Sequence, residues 1–367
     1  MTDHPAGDPA VSPPSDSPAR RGDLIALIGT TTRVYDECLL PNGALVSAPA
    51  HLPFYPARAT DAFLCRPGPT IAAAILAMDA LGRDVRTPPL RWLRDRAAGF
   101  GDDGLLRRAY QIHGPVRDDR PDLIGSGILL AAIVRRSDRA QGEIATAVCR
   151  ALASAIAVRW DGQRFRDHPD AVGAIRAAEL TVAASGLRAA AVVFDVPQWS
   201  RVADTMTAAR DGAIVDAFAF RGTPDPNAED RDDDLLALLA LAWPLGSADA
   251  PPDAAGAADL AEAAVGLRDV SWHGGDPVAH LAHAGTNRLR PADLFWLAAA
   301  HASAGNVDRA GRYHALGTAL ADGDGHFPAH VAAPDRDPAP RPFLLAHLLF
   351  VLSAGALGLL DDPPRTG

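Results

Sequence analysis

Lysine is absent from this chain: all 35 basic residues are arginine, set against 45 carboxylates for a formal net charge of −10. An acidic chain without a basic run has nothing to replace the counterions along a phosphate backbone, which excludes nucleic acid as a partner. Aromatic residues are scarce at 6%, and strand-favouring residues are scarce with them. Alanine dominates instead, and it loses no side-chain entropy in a helix, so the sequence leans helical. Cysteine is scarcer still. Cys38, Cys65 and Cys149 are an odd number with no C-x-x-C spacing, which excludes a disulfide framework or a thiolate metal site and fits free thiols in the cytoplasm. The first 22 residues are polar, rich in Pro, Asp and Ser, and lack the apolar core of a secretion signal, so they read as a disordered tail.

Long hydrophobic runs are nearly absent too. Only 343–360 (FLLAHLLFVLSAGALGLL) approaches membrane hydropathy. It is short for a span, contains His347, and is followed by Asp361 and Asp362 rather than a basic anchor. A buried core helix explains it better, and no membrane partner is expected.

What the chain does have is length and apolar content: 367 residues, 48% hydrophobic, enough for a sizeable core. Residues 23–361 read as one domain, between the 1–22 tail and a short 362–367 tail. Helical signals recur at 69–81, 88–98, 122–136, 139–158, 171–185, 198–209, 232–245, 254–265, 290–304, 307–320 and 343–360, with a hairpin across Gly305-Asn306. Segments apolar on every side alternate with amphipathic ones. The first kind must be surrounded and the second can face water, so an inner ring of helices inside an outer ring satisfies both. A repeat solenoid is the competitor, but no fixed sequence period supports it. Minor β content is expected at 24–28, 44–47 and 191–194.

Several segments between these helices resemble, in order, the family 15 glycoside hydrolases, the glucoamylase and bacterial trehalase family. Asn42 to Pro49 (NGALVSAP) is similar to the family's opening strand. Arg66 with the apolar helix ending Ala80-Leu81-Gly82 resembles its Trp-x-Arg-Asp block and first helix. Arg120 to Gly125 (RPDLIG) resembles the Gln-x-Asp-x-x-Gly start of the third helix, and Asp232 to Leu239 the Asp-Ala-Ser-Leu-Leu block. Asn287 to Leu297 (NRLRPADLFWL), Gly323 to Val331 (GDGHFPAHV) and Leu345-Ala346-His347 continue the series. The likeness spans roughly residues 40–355. It implies an all-α fold, an (α/α)6 barrel, and a small carbohydrate or glycoside-like ligand with no cofactor and no metal. It says nothing of oligomeric state.

The departures carry as much weight. Members of the family invert the anomeric centre, one carboxylic acid protonating the leaving oxygen while a second carboxylate activates water on the opposite face. The acid's position falls on Gly173, after Asp170-Ala171-Val172, and the base's on Ala329, after Phe327-Pro328. The Arg-Asp that would clamp sugar hydroxyls reads Arg66-Pro67. Neither glycine nor alanine moves a proton, so ordinary hydrolysis is not expected. A shifted alignment would make Asp167, Asp170 or Glu179 the acid, with only Asp322 or Asp324 left as base. The alternatives are a non-catalytic binding or regulatory scaffold, and a repurposed pocket with different chemistry.

Three constellations offer that different chemistry. Asp230-Arg231-Asp232-Asp233 spells the D-x-D-D proton-donor motif of terpenoid cyclases, with Asp232 as the acid, although an acidic helix start explains the same letters. His273, Asp276, His280 and His283 cluster in a Gly-rich stretch, and Asp322, Asp324, His326 and His330 form a second group. Either suits acid–base work or zinc, and either also suits polar turns that cap helices. His330, His280 and His283 are the candidate catalytic residues beside Asp232. Arg66 is the best-supported ligand contact, since a guanidinium fork suits hydroxyl groups. Tyr55, Arg58, Asp122, Trp272 and His273 join it as candidate ligand contacts. Trp92 and Trp296, at helical positions, are expected to pack rather than bind.

Overall fold

The computed structural model describes residues 18–49, 64–65, 67–135, 142–219, 231–243, 245, 254–265, 290–330 and 341–360. In chain order they form α1 (Pro18–Cys38), β1 (Leu64–Cys65), α2 (Pro67–Ala80), α3 (Thr87–Arg96), the single turn α4 (Phe100–Asp103), β2 (Arg107–Gln111), β3 (Val116–Pro121), α5 (Leu123–Val134), α6 (Glu143–Arg159), α7 (Gly173–Phe194), α8 (Pro197–Ala219), α9 (Arg231–Ala242), α10 (Ala254–Val265), α11 (Pro291–Ser303), α12 (Val307–Ala319) and α13 (Leu344–Ala356).

Helices α2, α5, α7, α9, α11 and α13 each pack on the next, and α13 returns to α2, closing a ring of six. The remaining long helices lie outside it: α6 against α5 and α7, α8 against α7, α10 against α9 and α11, α12 against α11, and α1 against α13. This is an (α/α)6 barrel. Composition sorts the two rings. From α2, 71–78 is buried without interruption, as is 291–301 from α11. On α12 burial is confined to Ala310, Tyr313, His314, Leu316 and Gly317, a stripe at helical spacing. The membrane-like 343–360 segment supplies α13, the inner helix that closes the ring. Among the described residues one helix, Gly173–Phe194, is long and apolar enough to cross a membrane, and it is α7 of the same inner ring.

Backbones approach closely where the inner helices cross. A Cβ on Gly127 of α5 would sit 2.7 Å from the Val182 carbonyl carbon of α7, and one on Gly186 would sit 2.9 Å from the Gly127 carbonyl oxygen. A Cβ on Gly68 of α2 would lie 2.5 Å from the Gly125 Cα of α5. These glycines bring α2, α5 and α7 together, and any side chain there would force backbones apart. The ends are set locally. Helix α11 opens with Pro291 in its first turn and closes at Gly305 (φ +82), where the Asn306 N–H reaches back 2.8 Å to the His301 carbonyl.

Three local expectations are corrected. Residues 24–28 lie inside α1, which begins at Pro18 within the segment read as a tail. Residues 191–194 are the last turn of α7, ended by Asp195 in the left-handed region (φ 52). At 44–47 there is only an isolated bridge, Leu39 to Leu45. The actual sheet is β1-β2-β3, antiparallel throughout.

Candidate functional site

Short connections, 195–196 between α7 and α8 and 304–306 between α11 and α12, turn the chain back on itself. Successive long helices are therefore antiparallel and the inner six all begin at the same end, the barrel's mouth. The segments leading into them are 39–66, 104–122, 160–172, 220–230, 266–290 and 320–343. By number, the residues nominated from the sequence for catalysis or ligand contact fall in these segments or in the first turn that follows, except Glu179, which lies in the second turn of α7.

Arg66, Tyr55, Arg58, Trp272, His273, Asp276, His280, His283 and Asp230 lie outside the described residues. The backbone places Asp232 in the first turn of inner helix α9, as an acidic helix start requires. Asp122 is half-buried and caps α5, its Oδ1 accepting the Gly125 N–H at 2.7 Å. A Cβ on Gly125 would lie 2.1 Å from Asp122 Oδ2, so glycine there makes room for the cap. Asp122→Ala is expected to lower stability by about 1 kcal/mol, read from denaturant midpoints, through loss of that cap.

The loop before α13 is held firmly. His347, fully buried on α13, accepts the Phe327 N–H on Nε2 at 3.2 Å, and its Nδ1 lies 3.3 Å from Thr31 Oγ1 on α1. Because Nε2 accepts, the ring is neutral with its proton on Nδ1. Burial, with His326 and Arg33 adding positive charge nearby, holds its pKa down at about 3. The Phe327 carbonyl accepts the Phe343 N–H at 2.8 Å, and the Leu344 N–H reaches the Ser47 carbonyl at 2.8 Å. Loop 320–330, the 44–49 segment and the start of α13 therefore form one rigid corner. Ala329 and His330, both half-buried, sit on it.

Of the substitute carboxylates, Asp322 and Asp167 are held by local partners. Asp322 Oδ1 accepts the Asp324 and His326 N–H groups at 3.0 and 2.8 Å, shaping the turn. Asp324 and Asp170 are exposed, and Asp167 pairs with Arg159 at 2.6 Å. Glu179 is the exception in kind. It is 3% exposed on inner helix α7, and burial raises its pKa, opposed by a 2.6 Å contact from His168 Nδ1 to Oε1 and by Arg108. That contact closes the carboxyl beneath His168. The tryptophans pack as expected: Trp92 and Trp296 are buried and donate to the Ile112 and Trp243 carbonyls at 3.1 and 2.9 Å. Sequence reasoning missed His168 and the tie at His347; the one signal for the latter was a lone histidine in an otherwise apolar helix.

No family model and no curated protein matches the chain by sequence. Solved structures do match by shape. A glutamate-to-alanine variant of a glycosidase in complex with glucose aligns at TM-score 0.64 and 19% identity, covering 94% of this chain and 100% of that one. A bacterial glucoamylase complexed with acarbose aligns at TM-score 0.58 and 16% identity over 92% of this chain and 56% of its own. A D-mannose isomerase aligns at TM-score 0.51 and 13% identity over 96% and 100%. The chain has the glucoamylase-like (α/α)6 fold that these proteins share.

Proposed function

We propose that the mouth of this barrel binds a small carbohydrate or glycoside-like ligand and does not hydrolyse it by the paired-carboxylate route. The observation that carries the reading is the pair Gly173 and Ala329. The first opens inner helix α7 at the mouth and the second sits on the rigid corner ahead of α13; the family resemblance aligns its two catalytic carboxylates with these positions. A binding role is supported by the fold-mates, one solved with glucose and another with acarbose. In this reading Arg66, Tyr55, Arg58, Trp272 and His273 supply the ligand contacts, with Asp122 holding the floor of the mouth through α5. Free, buried Cys38 and Cys149 suit a cytoplasmic protein.

A second reading assigns proton transfer on an open-chain sugar to His330 with His280 or His283. It is favoured by His330 standing half-buried beside Ala329. Saturation-transfer NMR with glucose, maltose, trehalose and mannose tests both. Transfer to at least one sugar, with no spectral change over time, is the result expected. Slow conversion of an aldose into its ketose would favour the histidine reading, and no transfer to any sugar would overturn both.

A further inference from the structure

At the end of the barrel opposite the mouth, outer helix α10 carries Asp259 and Glu262 three residues apart on one face. Inner helix α11 brings His301 to them from its last turn. One ligand atom from each lies within 4.8 Å of the other two. His301 is fully buried, and neither ring nitrogen makes a hydrogen bond among the described residues; Nε2 stops 3.5 Å from Glu262 Oε2. Glu262 is itself buried and its Oε2 is likewise without a hydrogen bond. Buried polar atoms left unsatisfied are expensive, and a buried imidazole nitrogen facing an unsatisfied carboxylate oxygen, with Asp259 beside them, is satisfied by a cation that takes a lone pair from each.

We infer that Asp259, Glu262 and His301 bind one divalent cation of the zinc class, with water in a fourth position on the exposed Asp259 side. An imidazole with two carboxylates suits zinc, cobalt or nickel; magnesium and calcium call for an all-oxygen shell of six or more ligands. The Tyr313 ring of α12 stacks on His301 (centroids 5.5 Å apart, planes at 13°) and its hydroxyl hydrogen-bonds Glu262, so both donors are oriented. Arg309 now supplies the positive charge, its Nη1 2.6 Å from Asp259 Oδ1 and 3.6 Å from Glu262 Oε2. Its side chain is 45% exposed, so an arriving cation displaces it into solvent. The bound ion would fasten α10 and α11 together at the closed end, independently of any ligand at the mouth.

The other carboxylate–histidine group, Asp322, Asp324 and His326, has its Asp322 Oδ1 spent on backbone N–H groups and lacks a buried donor without a partner. It serves as the control. Chelator-stripped full-length protein is titrated with zinc chloride by calorimetry and with cobalt(II) by visible absorption. The inference expects one equivalent bound, tetrahedral cobalt bands and a raised Tm. Glu262→Gln should weaken binding at least about tenfold. Arg309→Ala, which removes the competing cation, should tighten it, and Asp322→Asn should leave it unchanged. No saturable uptake by the wild type and by Arg309→Ala, or uptake indifferent to Glu262→Gln, overturns the inference.

Discussion

Phe327→Ala is expected to cost about 3–5 kcal/mol of stability and to abolish ligand binding at the mouth. Phe327 is fully buried although it sits in a loop. Its ring meets Phe295 edge-on at 5.1 Å between centroids, Phe350 at 5.5 Å and His347 at 4.7 Å. Those partners belong to inner helices α11 and α13, so one loop side chain fills the seam between them. Its backbone is used as well, with the N–H on His347 and the carbonyl on Phe343. Truncating the ring leaves a cavity at the seam and frees the segment that carries Ala329 and His330. Urea unfolding gives the stability change, and sugar saturation transfer on the folded fraction gives the binding change. A variant within about 1 kcal/mol of wild type would show that the loop is not anchored there.

Acidification is the second large effect. Burial holds the pKa of His347 at about 3 and that of His314 at about 4. His314 Nδ1 contacts Ser353 Oγ at 2.8 Å, and that hydroxyl donates to the Phe350 carbonyl, so His314 too is a neutral ring donating from Nδ1. In the unfolded chain both rings titrate near 6.5. Below that pH the unfolded state takes up protons that the folded state refuses. Their stabilising contribution is therefore complete above about pH 6.5 and is lost as pH falls towards the folded values. At pH 5 the loss is about 2 kcal/mol for each, about 4 kcal/mol together. Denaturant midpoints measured between pH 7.5 and 5 should fall steadily. A flat profile across that window would mean that neither ring is held neutral by burial.

Much of the barrel was legible because burial writes itself into composition. An inner helix such as 123–134 (LIGSGILLAAIV) has no polar face, so it must be enclosed, and alternation with amphipathic helices leaves two concentric rings as the answer. Gly305-Asn306 gave the α11–α12 hairpin for the same kind of reason, a left-handed stop followed by a new start. Where reading failed, local letters misled. Leu24 to Ile28 looks like a strand, and Gly22, Gly29 and Thr30 to Thr32 beside it are poor helix formers; packing of Leu24, Leu27 and Ile28 on the core overrides local propensity. The β2–β3 hairpin was missed because Arg107 to Pro121 is dominated by charges and ends in proline; only His113-Gly114-Pro115 marked its turn. The candidate site was legible as positions rather than contacts. The order of segments nominates Gly173 and Ala329, but nothing in a linear chain announces that His347 will meet Thr31 across 316 residues. Nor does it announce that His301 will face Glu262 without a hydrogen bond.

The central claim is that this mouth holds sugar without the carboxylate pair that inverting hydrolysis requires. The most direct measurement follows maltose and trehalose by proton NMR during prolonged incubation with the full-length protein, resolving the anomeric signals. Persistent disaccharide, with saturation transfer showing that sugar is bound, is the outcome expected from Gly173 and Ala329. Release of glucose that appears first as the β anomer, the signature of inversion at an α-linked substrate, would contradict it.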